Sequence, residues 1–180
     1  WRQFNGVSLM LNELFEELRF FTDASFGGYG ACFELPDGSV EMFHGKWSDF
    51  GGGKEGNETP FRTAIREGCE ELNGFLGCKA ELERTVKANM IKRITHMQFH
   101  TYLFHLEYDE NLPVHFTNNS AFIRQRLPHL VDKKGLFEKS EIAWMTVADI
   151  KRNKSLFRPF YRGVLREILG AEKEIQRYFA

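Results

Sequence analysis

GGGKEGNETPFRTAIREGCEELNG, residues 51–74, sets a glycine cluster ahead of a Thr59-Pro60 step and then crowds Glu67, Glu70 and Glu71 together. Thr59 as cap and Pro60 at the first helical position predict a helix start. Asn73-Gly74 predicts its stop, just after Leu72. On that helix the three carboxylates fall within about 100° of arc and form one acidic face. Phe61, Ile65, Cys69 and Leu72 form the opposite, core-facing side. A solvated Glu-rich face usually carries Lys or Arg four residues on. Here those positions, four after Glu70 and Glu71, are Gly74 and Phe75. Arg66 is the one helical cation in reach, and it cannot balance three carboxylates. A divalent cation can: Mg²⁺ and Mn²⁺ take oxygen ligands, commonly carboxylates together with substrate phosphates. The glycines let the backbone approach such a ligand closely and offer carbonyls to it.

Around this stretch the composition is that of an ordinary folded chain. Its 180 residues fit one domain, 42% are hydrophobic and 27% charged, and the 18 Phe residues point mostly to core. A formal net charge of −1 supplies no global field for nucleic acid or membrane. Cys32, Cys69 and Cys78 are odd in number and irregularly spaced, which predicts no disulfide framework and a reducing compartment, cytoplasmic or nuclear. No apolar run reaches membrane-spanning length, and no membrane partner is expected.

Along the chain, SLMLNELFEELRFF predicts an amphipathic N-terminal helix, roughly 8–21, with Leu11, Leu14, Phe15 and Leu18 on one stripe. ACFEL and SVEMFH flank Pro36-Asp37-Gly38 as a hairpin. ELERTVKANM and ITHMQFHTYLFHLEY read as strands, as does EIAWMTV. Residues 111–140 read as an irregular inserted segment with a short helix at AFIRQRL, and a last helix is expected over roughly 159–178, with Val164, Leu165, Ile168 and Ile175 inward. Strands alternate with helices and the hairpins make the sheet mixed, so the class is α/β, in a single domain spanning residues 1–180.

The spacing Gly52-x5-Glu58-x7-Arg66-Glu67-x2-Glu70-Glu71 resembles the Nudix box, and KWSDF before it and EIAWMTVADI after it are similar to Nudix family members too. Two positions depart from the box: Gly68 replaces an aliphatic residue, at a cost of about 1 kcal/mol relative to Ala, and Asn73 replaces a glycine. The resemblance implies an α/β/α sandwich with a mixed central sheet. It implies a hydrolase of diphosphate linkages in nucleoside-diphosphate derivatives. Glu67, Glu70 and Glu71 would be metal ligands and catalytic groups, with the Gly52 carbonyl in the shell of Mg²⁺ or Mn²⁺. Glu58 and Arg66 would form a structural ion pair. Glu138 and Glu141, in a later loop, are further catalytic candidates as general base.

Other residues carry weaker signals. His96 and His100, four apart, read as sharing one strand face, with packing or substrate contact favoured over zinc. Trp47 and Phe50 read first as core, Trp47 with a lesser role in stacking on substrate; Tyr102, Phe104, Phe116 and Phe122 are weighed the same way. Arg158, Arg162 and Arg166 form an i, i+4, i+8 stripe next to Lys151, Arg152 and Lys154. That stripe is first a solvated surface. Its functional reading makes Arg158 and Arg162 substrate contacts and capped RNA the partner, with release of m7GDP as the alternative activity. A non-catalytic nucleotide-binding module is disfavoured because every box carboxylate is present, and a purely structural domain would leave the acidic face without purpose.

Overall fold

A computed structural model describes residues 4–13, 15–25, 32–34, 40–42, 46–131 and 136–178, the first four segments as backbone. Two long strands open the chain, β1 (Phe4–Glu13) and β2 (Phe15–Ser25). They stand where the sequence pattern predicts a helix over 8–21. Val7, Leu9 and Leu11 also recur with a period of two, and the sheet decides between the two periods. β1 finds antiparallel partners in β2 and in β6 (Phe50–Gly53), and a parallel partner in β8 (Phe99–His105). Backbone pairing on both flanks outweighs a weak helical propensity.

The seven-stranded sheet is completed by β5 (Trp47–Ser48), β7 (Met90–His96) and β9 (Lys139–Thr146), with β9 antiparallel to β2 and β7 antiparallel to β8. One parallel pair among antiparallel ones makes the sheet mixed, as expected. β3 (Cys32–Glu34) and β4 (Val40–Met42) form a separate antiparallel pair, in keeping with the expected hairpin, whose Pro36-Asp37-Gly38 turn lies outside the described residues.

Helices cover both faces. α1 (Pro60–Glu71), α2 (Lys79–Ala88) and α3 (Leu112–Arg126) enclose one core with Phe50, Tyr102, Phe104 and Ile142. α4 (Val147–Arg152), α5 (Arg162–Gly170) and α6 (Glu172–Tyr178) enclose the other with Ile94 and Leu103. The switch from Tyr102 to Leu103 to Phe104 between the two cores is strand alternation at work. Phe104 is fully buried. Phe104→Ala should therefore cost about 3–5 kcal/mol, read as a drop of roughly 10 °C in melting temperature; a shift under 2 °C would show that this core is not packed as described.

Three further expectations change. ELERTVKANM supplies α2 rather than a strand: the Glu81 carboxylate accepts from the Cys78 N–H at 2.7 Å, and Leu82 and Val86 bury one face. The segment 111–140 is largely helical, since α3 runs for 15 residues. The last helix is divided into a 3-10 turn at Pro159–Tyr161, α5 and α6, with Val164, Leu165, Ile168 and Ile175 all buried as expected.

Candidate active site

α1 begins as read. The Thr59 hydroxyl accepts from the Arg62 N–H at 3.3 Å, and Pro60 occupies the first turn. The buried Gly68 does not interrupt the helix. At its end Asn73 takes a left-handed conformation, φ 52°, followed by Gly74 at φ 74°. Asn is among the few residues with a side chain that accept this geometry. Its amide adds something glycine cannot: Oδ1 accepts from the Phe137 N–H at 2.7 Å and ties the helix end to the segment before β9. The departure at 73 thus rebuilds the exit rather than removing it.

The first three glycines of the cluster belong to a strand. Gly51, Gly52 and Gly53 lie in β6, in register with Gly6, Asn5 and Phe4 of β1. At Gly52 a Cβ would collide with the Glu67 carboxyl group, so this position must lack one for that carboxylate to sit where it does. That close approach brings a backbone segment and a carboxylate to the same place.

Arg66 is the hub of the site. Its Nε donates to Glu58 Oε1 at 3.0 Å, and Nη2 donates to Glu58 Oε2 at 3.2 Å and to the Gly53 carbonyl at 2.8 Å. Nη1 lies 2.9 Å from Glu67 Oε1 and 3.0 Å from Glu70 Oε2. The expected Glu58–Arg66 ion pair is present, and the fork geometry of guanidinium extends it to two more carboxylates. Burial opposes ionisation of Glu58, but the hydrogen bonds from Arg66, the Glu55 N–H and Thr63 outweigh it and hold the carboxyl below its usual range. Burial pushes the Glu67 carboxyl up to about 7, against the pull of Arg66 and with help from Glu70 and Glu138.

Glu71 is placed differently from the exposed face expected of it. It is only 4% exposed. Its Oε2 accepts from the Gly51 N–H at 2.7 Å, and its Oε1 lies 2.7 Å from Lys139 Nζ. Lys139 is the residue that sequence reasoning missed. It is 68 positions away from Glu71, and no local pattern relates them.

Of the candidate bases, Glu138 is exposed and near enough to act on Glu67 electrostatically, whereas Glu141 is an exposed position of β9 opposite Ala24 of β2. Trp47 is half-buried and packs on the core under α4 to α6. Arg158 precedes the 3-10 turn, and its N–H donates to the Trp47 carbonyl at 3.0 Å, so only Arg162 and Arg166 of the basic stripe lie on α5, both exposed. Lys151 and Arg152 are paired with Glu172 and Asp149. His96 and His100 occupy different strands of the β7–β8 hairpin. His96 packs on Gly163, where a Cβ would strike its ring, and His100 Nδ1 is 3.1 Å from Thr95 Oγ1. Tyr102, Phe104 and Phe116 are core, and Phe122 is 55% exposed. Among the described residues no three His, Cys, Asp or Glu side chains converge as a ready-made metal cluster, and no helix is long and apolar enough to cross a membrane.

No protein-family model matches the chain, and none of the curated proteins matches it in sequence. Solved structures do resemble it. A Nudix hydrolase from M. smegmatis, RenU, superposes with a TM-score of 0.50 at 10% identity, over 96% of this chain and 88% of that one. A bifunctional NMN adenylyltransferase/ADP ribose pyrophosphatase from Francisella tularensis, complexed with AMP and a Mn ion, gives 0.50 at 14% identity, over 94% of this chain. This chain spans 42% of the length of that larger protein. The likeness establishes the fold: a Nudix-type α/β arrangement with a mixed sheet between helices.

Proposed function

We propose that this protein is a metal-dependent hydrolase of a diphosphate linkage in a nucleoside-diphosphate derivative. The observation that carries the reading is the seating of the Glu67 carboxylate against Gly52, a contact that a side chain at 52 would abolish. It sets a carboxylate and the backbone of β6 together beside the C-terminal half of the helix that also bears Glu70. Both are hard oxygen donors of the kind that Mg²⁺ and Mn²⁺ take.

The charge balance supports the same reading. Glu55, Glu58, Glu67, Glu70 and Glu71 face Arg66 and Lys139. The carboxylates outnumber the cations, before Glu138 is counted. Glu67 and Glu70, with the Gly52 carbonyl, are the groups that would hold the ion; Glu71, which the Nudix resemblance adds, is engaged on both oxygens from within the protein. A bound Mg²⁺ or Mn²⁺ supplies charge neutralisation to the phosphates and a more acidic water. The chain's own contribution is positioning. Arg66 holds Glu67 and Glu70 on one edge of α1, and the Glu58 pair keeps the guanidinium there. Glu138, whose charge acts on Glu67, would take the proton from the attacking water.

The test is a substrate panel with purified protein and Mg²⁺ or Mn²⁺: dinucleoside polyphosphates, nucleotide sugars, oxidised nucleoside triphosphates, inositol pyrophosphate and capped RNA. The expected result is hydrolysis of a P–O–P bond in a small nucleotide derivative, abolished by EDTA. Release of m7GDP from capped RNA, with small nucleotides untouched, would redirect the substrate assignment to RNA and to Arg162 and Arg166. No turnover of any member with either metal would overturn the proposal.

A further inference from the structure

We propose that Lys139 is a built-in cation of this site, standing on Glu71 in place of a divalent ion, so that Glu71 orders the glycine strand while exchangeable metal is held through Glu67 and Glu70. The inference rests on the metal-dependent reading above and refines it. Lys139 Nζ lies 2.7 Å from Glu71 Oε1, and the two side chains are 3% and 5% exposed. An ammonium taken this far from water keeps its charge only with a close carboxylate, and the carboxylate needs it equally. The other oxygen of Glu71 accepts from Gly51 N–H, so the same carboxylate also fixes β6 next to Gly52.

Lys139 is also held by its backbone. The Ser120 hydroxyl donates to the Lys139 carbonyl at 2.9 Å. Arg124 Nη2 donates to the Phe137 carbonyl at 2.7 Å and to the Glu138 carbonyl at 3.2 Å, and Asn73 receives the Phe137 N–H. Side chains from α3 and from the end of α1 therefore grip residues 137, 138 and 139 in succession. These contacts fix the backbone position from which the Lys139 side chain reaches Glu71. An arriving metal ion thus meets Glu71 already neutralised.

The experiment counts bound Mn²⁺ on the full chain by electron paramagnetic resonance of free Mn²⁺, a readout independent of turnover. The wild type should bind one Mn²⁺ tightly. Glu71→Gln should keep that ion with affinity changed by less than about tenfold. Lys139→Met, which strips Glu71 of its counter-ion, should bind a second Mn²⁺, and Mn²⁺ should raise its melting temperature more than it raises that of the wild type. Loss of the ion in Glu71→Gln, or an unchanged count in Lys139→Met, would overturn the proposal. Should Lys139→Met not fold, the paired change Lys139→Met with Glu71→Leu replaces the ion pair by apolar groups; it should still bind one Mn²⁺, and losing it overturns the proposal equally. Glu67→Gln separates the two levels. If it retains full Mn²⁺ binding, the metal-dependent reading itself fails; if it loses the ion while Glu71→Gln loses it too, only the role given to Lys139 fails.

Discussion

Glu67→Gln should lower kcat by roughly 10³-fold on whichever diphosphate substrate the panel identifies. The carboxylate is the proposed metal donor, seated against Gly52 and paired with Arg66. Losing an anionic ligand forfeits several kcal/mol of charge stabilisation at the phosphates, and about 4 kcal/mol corresponds to the stated factor. The fold should survive, because glutamine has the same shape. The apo protein offers a control with a definite sign. Burial raises the folded-state pKa of Glu67 to about 7, above its unfolded value. Its contribution is then fully present below the unfolded pKa and is lost as pH rises through about 7, where the buried carboxyl must ionise. Metal-free Glu67→Gln should accordingly melt no lower than wild type at pH 8. Activity within tenfold of wild type under saturating Mg²⁺ would remove Glu67 from the site.

Arg66→Met should be the most destabilising single change at the site. The guanidinium, 12% exposed, serves Glu58, Glu67, Glu70 and the Gly53 carbonyl at once. Removing it leaves partly buried carboxylates facing one another without a counter-charge, a defect that costs about 3–5 kcal/mol, or roughly 10 °C in a chain of this size. Arg66→Lys should recover less than half of that, since an ammonium cannot span Glu58 and the Glu67–Glu70 edge together. Differential scanning calorimetry decides it. Exposed Arg62, on the same helix, is the comparison: Arg62→Met should stay within about 0.5 kcal/mol of wild type. Equal melting points for the Arg62 and Arg66 variants would mean that the hub bears no load.

Much of the site was legible because it is local. The cap at Thr59, the turn after Leu72, the Glu58–Arg66 pair and the grouping of Glu67 with Glu70 all lie within one loop and one helix, where spacing dictates geometry. The two strand–helix exchanges had opposite causes. At 4–25 the sheet overrode a helical stripe by offering partners on both flanks of β1. At 79–88 the Cys78–Glu81 cap and the Leu82–Val86 pair were present in the sequence but read with the wrong period. The basic run at 158–166 looked like one stripe until the 3-10 turn at Pro159 set Arg158 apart from α5.

By itself the sequence determined the helix that follows the glycine cluster, its start and end, and the Glu58–Arg66 ion pair, because each rests on residues a few positions apart whose relation is fixed by local geometry. Only the tertiary structure decided what surrounds Glu71. Burying a carboxylate requires a counter-charge, and the one supplied lies 68 positions on, on a strand that pairs with β2 and whose first residue is held by Ser120 of α3.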